Sequence, residues 1–343
     1  MRSEGMSDMP KIAINGLGRI GRAALKILLD ADGVEVAALN DLVEAGNLAY
    51  LLAHDSVYGR YGKMVTATDG ALSIDGLKVP VFAERDPARL PWRELGIDLV
   101  LECTGAFRRE EELRRHLEAG ARFVILSAPA RTETVATVVP GVNQAPDGVQ
   151  VISCASCTTN SITPVVEVLE RRIGIERAIM STVHAYTASQ QLVDGPSKDV
   201  RRGRAAGINM VPASTGAALA TIRALPTLAG RFDGVAIRVP VPVGSIADIT
   251  MVTARPTTAE EVNDLLREEA DSERYRGVLA VAEEPMVSTD IIGDARASVI
   301  DAAMTRVVDG TLVKVMSWYD NEWGFTHQMV REALSVLGAG QAP

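Results

Sequence analysis

The first half of the chain alternates short apolar runs with amphipathic, helix-like stretches. KIAINGLGRIGRAALKILLD joins an apolar run to a helical pattern through a glycine-rich turn, and VEVAALND is a second apolar run. IDLVLECTG and RFVILSAPA are two more, separated by the helix-like RREEELRRHLEAGA. Strands that alternate with helices are typical of a parallel α/β sheet. In residues 59–82, hydrophobic and polar residues alternate instead, and pairs of turn-forming residues interrupt them. This pattern predicts an antiparallel segment within the first half of the chain.

The pattern changes in the second half of the chain. TTNSITPVVEVLERRIG predicts a helix, and IERAIMSTVHAYT, GVAIRVPVP, ADITMVTARP, ASVIDAAMTRVVDG and TLVKVMSWYD predict strands of a mostly antiparallel sheet. Residues 194–216 are polar and weakly periodic, which favours a long functional loop. A last helix is predicted at about residues 322–337.

These patterns predict a two-domain α/β protein. Residues 10–156 and 320–343 are predicted to form one domain with a parallel sheet, and residues 157–319 to form a second, α+β domain. The polar start of the chain, residues 1–9, is predicted to be a disordered tail.

Composition and charge narrow the functional class. The 343 residues are 47% hydrophobic and carry a net charge of -9, which argues against sequence-independent nucleic-acid binding. No apolar run is long enough to predict a membrane span or a signal peptide. The three cysteines provide no disulfide framework, so we expect a cytoplasmic protein.

The glycine turn has the form G-x-G-x-x-G, with Gly16, Gly18 and Gly21 at its fixed positions. Such glycines let the backbone approach a pyrophosphate, which then faces the N–H groups at a helix N-terminus. An acid follows 20 residues after Gly21, at Asp41, where it can bind an adenosine ribose and repel a 2′-phosphate. The strand-turn-helix context therefore predicts a Rossmann domain that binds NAD in preference to NADP.

The stretch VISCASCTTNSIT contains two of the three cysteines, Cys154 and Cys157. A zinc site would need about four clustered ligands, and the four histidines of the chain lie far from the pair in sequence. A thioredoxin-like couple would belong to a smaller fold. Cys157 lies where a strand meets a helix, and a helix N-terminus stabilises a thiolate. We therefore predict Cys157 to be a nucleophile, and Cys103 to be a buried structural residue.

SCASCTTN resembles the active-site motif of the glyceraldehyde-3-phosphate dehydrogenases. The resemblance extends from about residue 10 to 335 and includes INGLGRIGR, ECTG, HAYTASQ, RRGRAA, PASTGAA and SWYDNEWG. It implies a Rossmann domain, a catalytic domain, a homotetramer and no metal. It also implies oxidation of glyceraldehyde 3-phosphate by NAD and inorganic phosphate to an acyl phosphate, a step of glycolysis and gluconeogenesis.

The resemblance assigns roles residue by residue. Cys157 matches the nucleophile and His184 the general base, so a thiohemiacetal and then a thioester are expected on the sulfur. The residues matching phosphate-binding positions are Ser156, Thr158, Thr187, Arg202, Thr215, Gly216 and Arg238. The residues matching cofactor-binding positions are Gly16, Gly18, Arg19, Ile20, Gly21, Asp41, Arg85, Thr104, Ser127 and Asn321.

Cys154 stands where this family usually has asparagine. Its spacing from Cys157 raises the hypothesis of a reversible protective disulfide, against the simpler interpretation of an inert thiol. The alternative function is erythrose-4-phosphate dehydrogenase, whose members tend to lose the Ser-Thr-Gly phosphate pocket that this chain keeps at residues 214–216. A non-catalytic binding protein on the same scaffold would be expected to lose Cys157 or His184, and both are present.

Overall fold

The structure is a computed structural model and describes residues 9–339. The predicted tail lies outside the described residues except for Met9. The strands are β1 Lys11–Asn15, β2 Glu35–Asn40, β3 His54–Asp55, β4 Gly59–Arg60, β5 Val65–Thr68, β6 Ala71–Ile74, β7 Leu77–Phe82, β8 Leu99–Glu102, β9 Phe123–Leu126, β10 Ala136–Thr137, β11 Val151–Ser153, β12 Ile175–Ala185, β13 Val211–Ser214, β14 Phe232–Val239, β15 Ser245–Thr253, β16 Leu279–Ala282, β17 Ser298–Asp301, β18 Arg306–Val308 and β19 Leu312–Tyr319. The α-helices are α1 Arg19–Leu28, α2 Ala45–Ala53, α3 Trp92–Leu95, α4 Glu110–Glu118, α5 Cys157–Arg172, α6 Ala217–Ala224, α7 Ala259–Ala270 and α8 Trp323–Leu337.

The chain divides into two compact units. The first contains the chain up to Ala136, then Pro146–Cys154, and the chain from Met329 onward. The second contains Thr137–Ala145 and Ala155–Gln328. Among residues 9–339, no helix is long and apolar enough to cross a membrane.

The units differ from the predicted domain ranges at residues 137–145, 155–156 and 320–328, which belong to the second unit. Contacts that the sequence pattern does not show explain two of these differences. The Arg274 side chain donates to the carbonyl oxygens of Gly141 and Val142. Gln328 Nε2 donates to the carbonyl oxygens of Gly277 and Ala295, so this part of α8 is tied to the second unit.

The first unit contains the predicted parallel sheet. Its strands follow the order β11-β9-β8-β1-β2-β7-β6-β5. All neighbours from β11 to β7 run parallel, while β7, β6 and β5 pair antiparallel. The predicted antiparallel segment is thereby confirmed for β5 to β7. Strand β7 also pairs in parallel with β2 and so joins this segment to the parallel part of the sheet. The carboxyl ends of β8, β1 and β2 consequently lie side by side at one edge.

The second unit is built on a sheet with the order β13-β14-β12-β15-β19-β17-β16, with β18 paired to β19. It is mostly antiparallel, as predicted, although β12 with β14 and β16 with β17 run parallel. Alternate residues of β15 are buried, and they join apolar side chains of α5 and α7 in one core. The loop predicted at 194–216 is shorter than expected, because Val211–Ser214 pairs with β14 as β13.

Helix α5 begins at Cys157 because the residue before it caps the helix. The Ser156 hydroxyl accepts a hydrogen bond from the Thr159 amide at 3.1 Å, which satisfies one of the free N–H groups of the first turn. Ala155 has a φ of 57°, a left-handed conformation that is uncommon for a residue with a Cβ. This turn directs the chain from β11 into α5 and places the thiol of Cys157 at the start of the helix.

Candidate active site

The first unit holds a cleft of about 480 Å³ at the carboxyl ends of its parallel strands. Five of the predicted cofactor residues line it: Gly16, Gly18, Asp41, Arg85 and Thr104. A cleft of this size at this edge of a parallel sheet is the usual place for a small-molecule cofactor.

The glycine turn fits an approaching pyrophosphate. A Cβ on Gly21 would lie 1.9 Å from the Gly16 carbonyl oxygen, so the turn closes only with glycine at this position. A Cβ on Gly18 would meet nothing within 4 Å, which leaves open space in front of α1. Gly18 caps α1 without a side-chain hydrogen bond, and the first turn of the helix contains no acid. The N-terminus of α1 can therefore receive an anion.

Asp41 has a structural role in addition to the predicted one. Its Oδ2 accepts from the Leu17 amide at 2.6 Å, and its Oδ1 accepts from the Val43 amide at 3.0 Å. The carboxylate thus holds the glycine turn in place while carrying the negative charge that would repel a 2′-phosphate.

Four predicted cofactor residues of the first unit, Arg19, Ile20, Gly21 and Ser127, do not line the cleft. Arg19 and Ile20 lie in the first turn of α1, and Arg19 Nη1 donates to Asp55 Oδ2 at 2.5 Å. Ser127 follows β9, and its amide donates to the Glu102 carbonyl oxygen at 3.0 Å.

Cys103, which was predicted to be buried, is only partly buried and lines the cleft. The prediction was wrong because the strand ends before this residue, at the edge of the cleft. Desolvation of the thiol and the adjacent Glu102 carboxylate raise the pKa of Cys103 to about 12. Cys103 is therefore a neutral thiol at neutral pH.

The second unit brings functional side chains together where several of its strands end. Strand β15 runs antiparallel to both β12 and β19, so its first residue lies beside their last residues. Strand β14 runs parallel to β12 and places Arg238 directly opposite His184. This edge of the sheet carries the base, and Cys157 at the start of α5 reaches it.

Cys157 and His184 are in hydrogen-bond contact. The Sγ of Cys157 lies 3.3 Å from the Nε2 of His184, although 27 positions separate the two residues along the chain. Only 4% of His184 is exposed. A thiol in contact with an imidazole is the arrangement needed to activate a sulfur nucleophile.

His184 Nδ1 has two polar neighbours. It lies 2.7 Å from the Ala185 carbonyl oxygen, which can only accept, and 2.7 Å from Arg238 Nη1, which can only donate. Arg238 Nη1 also donates to the Ala185 carbonyl at 2.9 Å. A neutral ring with its proton on Nδ1, donated to Ala185, presents the lone pair of Nε2 to the thiol.

Burial and the nearby Arg238 cation lower the pKa of His184 to about 3. The hydrogen bond to Ala185 opposes this shift, and Arg202 adds to it. The imidazole is therefore neutral at neutral pH and can accept a proton.

The pKa of the Cys157 thiol is raised, whereas the sequence predicted that it would be lowered. Burial raises the pKa of Cys157, and the opposing effects of Arg238 and the Thr158 amide are smaller. The predicted lowering by the helix N-terminus was therefore wrong for this state of the protein, because desolvation outweighs it. His184 Nε2, 3.3 Å from the sulfur, is positioned to accept the thiol proton.

The predicted phosphate residues form a cationic group around the base. Arg202 contributes to lowering the pKa of both His184 and Arg238, which places its charge close to them. Arg202 also donates to Ser189 Oγ at 3.3 Å and to the Ser214 carbonyl at 3.4 Å. Ser189 in turn contacts the hydroxyl of Thr187 at 2.8 Å. Two guanidinium groups near one another favour binding of an anion.

The remaining phosphate residues lie at two helix starts. Gly216 caps α6 without a side-chain hydrogen bond, and Thr215 Oγ1 accepts from the Ala217 amide at 3.2 Å. Ser156 caps α5. The Thr158 hydroxyl contacts the Tyr319 hydroxyl at 2.9 Å, and only 4% of the residue is exposed. A hydrogen bond from the same side chain opposes the raised pKa of Cys157.

Asn321 is oriented by two donors. Its Oδ1 accepts from the Gly244 amide at 3.1 Å and from the Ser245 hydroxyl at 2.9 Å. The same hydroxyl accepts from the Ala185 amide at 3.1 Å, which links Asn321 to the strand that carries His184. Asn321 therefore keeps its amide nitrogen as the donor for a ligand.

Two residues of the site were not predicted from the sequence. Tyr319 is buried, and its hydroxyl joins Thr158 to Thr182 while its ring packs edge-on against His184. Ser245 orients Asn321. Tyr319 stands two residues before Asn321 in SWYDNEWG, so the motif itself could have indicated it, whereas Ser245 has no comparable signal.

The three cysteines are free thiols, and Cys154 is buried. Burial raises the pKa of Cys154 well above its ordinary value, as do the nearby Glu332 and Cys103. Within residues 9–339, no group of three or more His, Cys, Asp or Glu side chains is placed to hold a metal ion.

Known proteins are similar to this chain over nearly its whole length. Residues 10–110 match "Glyceraldehyde 3-phosphate dehydrogenase, NAD binding domain", and residues 156–321 match "Glyceraldehyde 3-phosphate dehydrogenase, C-terminal domain". Glyceraldehyde-3-phosphate dehydrogenase of Kitasatospora aureofaciens is 49% identical over 335 residues, covering 96% of this chain and 100% of that protein. The Geobacillus stearothermophilus enzyme is 46% identical over 333 residues, covering 96% of this chain and 99% of that protein. The chain belongs to the glyceraldehyde-3-phosphate dehydrogenase family and carries its NAD-binding domain.

Proposed function

We propose that this protein oxidises D-glyceraldehyde 3-phosphate, with NAD and inorganic phosphate, to 1,3-bisphosphoglycerate. The observation that carries the proposal is the contact between Cys157 Sγ and His184 Nε2 at 3.3 Å, with Arg238 and Arg202 beside it. A nucleophile, a base and two anion-binding cations are the groups that thioester formation from a phosphorylated aldehyde requires.

The first step uses His184 as a proton acceptor. Its Nε2 lone pair takes the thiol proton of Cys157, and the resulting thiolate adds to the aldehyde carbon to give a thiohemiacetal. The imidazolium then returns its proton to the oxyanion or to water. Because burial and Arg238 lower the pKa of His184 to about 3, proton return is strongly favoured.

The second step uses the same lone pair. His184 Nε2 removes the hydroxyl proton of the thiohemiacetal as the carbon loses a hydride, and a thioester remains on Cys157. Attack by inorganic phosphate on the thioester carbonyl releases the acyl phosphate and restores the thiolate. Both steps require the tautomer with the proton on Nδ1, which the Ala185 carbonyl at 2.7 Å can accept.

The two arginines give the site its preference for anions. We assign Arg238, Arg202 and Thr187 to the phosphate of the aldehyde, and Ser156, Thr158, Thr215 and Gly216 to inorganic phosphate. Support comes from the effect of both guanidinium groups on the pKa of His184 and from the start of α6, where the cap Gly216 makes no side-chain hydrogen bond. Guanidinium forks and helix N-termini are strong donors to phosphate oxygens.

NAD, held by the first unit, supplies the hydride acceptor. Gly16, Gly18 and the first turn of α1, with Arg19, Ile20 and Gly21, receive the pyrophosphate, and Asp41 receives the ribose. Arg85 would bind near the adenine, and Thr104 and Ser127 would support the cofactor at the strand ends. Asn321 would donate its amide N–H to the carboxamide.

We further propose that the protein is a cytoplasmic homotetramer. Support comes from apolar side chains that are strongly exposed in the single chain, among them Leu192, Val200, Ile208 and Met210 in the segment between β12 and β13. Ile179 and Val235 are exposed on the sheet of the second unit. Apolar surfaces of this kind favour association.

NADH formation by the purified protein tests the proposal. Glyceraldehyde 3-phosphate and NAD should give activity that requires inorganic phosphate, and NADP should be a poor substitute. Cys157→Ser should lose this activity but still bind NAD. Activity that ignores phosphate, or that appears only with erythrose 4-phosphate, would contradict the proposal and favour the alternative dehydrogenase.

A further inference from the structure

A line of buried polar side chains crosses the carboxyl ends of adjacent strands in the first unit. Glu102, Asn15 and Asn40 are the last residues of β8, β1 and β2, and they are neighbours in register. Asn15 Nδ2 donates to Glu102 Oε2 at 2.6 Å, and Asn40 Nδ2 donates to Asn15 Oδ1 at 2.7 Å. Asn40 Oδ1 accepts from the Glu84 amide at 2.9 Å, which extends the line past β7.

Glu102 is the most heavily bonded member of this line. It is fully buried, with 0% of the residue exposed. In addition to Asn15, its Oε2 accepts from His116 Nε2 at 3.2 Å. Its Oε1 accepts from both the amide and the hydroxyl of Thr104. Four donors from three different segments thus converge on one buried carboxylate, which is what a buried polar group needs to be tolerated.

Trp92 fixes the direction of these hydrogen bonds. Its indole Nε1 can only donate, and it lies 3.0 Å from His116 Nδ1, so that nitrogen is an acceptor. Nε2 is therefore the ring nitrogen of His116 that donates to Glu102. Asn15 Nδ2 and His116 Nε2, 3.5 Å apart, are two donors that point at the same carboxylate oxygen.

The line connects the inside of the unit to the cofactor cleft. Asn15, Asn40, Glu84 and Thr104 line the cleft, whereas Glu102, His116 and Trp92 do not. Asn15 also holds the loop after β8, since its carbonyl accepts from the Cys103 amide at 2.7 Å. The Asn40 carbonyl accepts from the Gly16 amide at 2.8 Å at the glycine turn. Side chains that orient Asn15 and Asn40 therefore also orient the backbone segments beside the cleft.

We propose that Glu102 is a positioning residue for NAD. From behind the cleft it fixes Asn15 and Thr104, and Trp92 sets the hydrogen-bond direction through His116. The proposal rests on the NAD role of the first unit and goes beyond the residues that touch the cofactor. It requires that loss of the carboxylate weakens NAD binding more than it weakens the chemical step at Cys157.

Glu102→Gln is the first test, because it keeps the shape and replaces one acceptor oxygen by an NH₂ group. In one orientation that NH₂ group meets the donors of Asn15 and His116, and in the other it meets those of Thr104. We expect the dissociation constant of NAD, measured by titration without aldehyde, to rise at least about tenfold, given the cost of unpaired buried donors. At saturating NAD, kcat should change by less than about twofold, because the groups that act in the transition state are untouched.

A second variant tests the role of Trp92. In Trp92→Phe the donor to His116 Nδ1 is gone, so the proton of His116 can move to Nδ1 and leave Nε2 as an acceptor. That acceptor can receive the amide of the Glu102→Gln variant. The double variant should therefore bind NAD more tightly than Glu102→Gln alone. The NAD dissociation constants of the two single variants give the rise that is expected if the substitutions act independently. A double variant whose dissociation constant rises by the product of those two factors would overturn the assigned direction of the hydrogen bonds.

Glu167→Gln is the matched control. Glu167 is a buried carboxylate of the second unit that accepts from the Tyr275 hydroxyl at 2.6 Å and pairs with Arg171 at 2.9 Å. Its substitution should lower thermal stability and leave the NAD dissociation constant unchanged. A Glu102→Gln protein that loses stability in the same way, with unchanged NAD affinity, would overturn the proposal.

His116→Phe keeps the test available if Glu102→Gln does not fold. It removes one donor to Glu102 from a fully buried position that does not line the cleft, and a several-fold rise in the NAD dissociation constant is expected. An unchanged constant would count against the proposal. The titration uses NAD alone, so wild-type protein that binds NAD without oxidising the aldehyde would contradict the proposed function and not this inference.

Discussion

His184 and Arg238 occupy opposed positions on the parallel strands β12 and β14, and Arg238 Nη1 lies 2.7 Å from the imidazole Nδ1. The sheet register therefore holds a guanidinium against the base, and both groups lie within hydrogen-bond distance of the Ala185 carbonyl. A cation at this distance disfavours protonation of the imidazole. The pair links anion binding to the protonation state of the base.

Arg238→Gln should raise the pKa of His184, because the second largest cause of its lowering is removed. The acid limb of the pH profile of kcat should move to higher pH, and KM for the aldehyde phosphate should rise. Both can be measured by steady-state kinetics across pH. Arg267→Gln is the control, since Arg267 forms an exposed pair with Glu283 at 2.7 Å. If the acid limb of the kcat profile has the same apparent pKa in both variants, Arg238 does not control the protonation of His184.

His184→Asn should lower kcat by roughly 10²- to 10⁴-fold, the usual contribution of a positioned general base. The thiol of Cys157 should also react more slowly with iodoacetamide at neutral pH, because burial raises its pKa and the acceptor is gone. Turnover and alkylation rates give the two measurements. If alkylation were as fast as in the wild type, another group would have to activate the thiol.

Acid should destabilise the protein through His184. Its pKa is lowered from 6.5 to about 3 in the folded state, so between these values the unfolded chain binds more protons than the folded one. Stability is then fully present above pH 6.5 and is lost as pH falls, by up to about 1.4 kcal/mol per pH unit. Urea unfolding across pH should show a smaller acid loss in His184→Asn. A residual loss of the same sign should remain from His327, whose pKa is lowered to about 4 by burial.

Gly21→Ala should weaken NAD binding and destabilise the first unit, because the new Cβ would lie 1.9 Å from the Gly16 carbonyl oxygen. Gly18→Ala should weaken NAD binding with little loss of stability, since its Cβ meets nothing within 4 Å. NAD titration and thermal unfolding separate the two effects. Gly46→Ala in α2, which also meets nothing, should leave NAD affinity unchanged. Equal stability of the first two variants would argue against a steric requirement at Gly21.

Tyr319→Phe should destabilise the protein by about 1–3 kcal/mol, the cost of leaving buried hydrogen-bonding groups without a partner. Its hydroxyl lies 2.9 Å from Thr158 Oγ1 and 2.7 Å from Thr182 Oγ1, and all three side chains are buried. Urea unfolding measures the loss. Tyr50→Phe is the control, because 63% of Tyr50 is exposed. No difference between the two variants would mean that the buried hydroxyls find other partners.

The sequence by itself determined the parallel sheet, the glycine turn before α1 and the junction between strand and helix at Cys157. These features depend on local physics: strand and helix periodicity, glycine geometry and the capping hydroxyl of Ser156 act over a few neighbouring residues. The sequence also indicated the family, because long motifs such as SCASCTTN and SWYDNEWG keep their residues together along the chain.

Only the tertiary structure decided how these pieces act on one another. The tautomer of His184 depends on the Ala185 carbonyl, and its low pKa on burial and on the register that opposes Arg238. The raised pKa of Cys157 reverses the expectation from the helix N-terminus, because desolvation depends on what covers the thiol. Glu102, His116 and Trp92 are separated along the chain and meet only when β8, α4 and α3 pack together. Burial and long-range hydrogen bonds are properties of the folded chain, and no local pattern contains them.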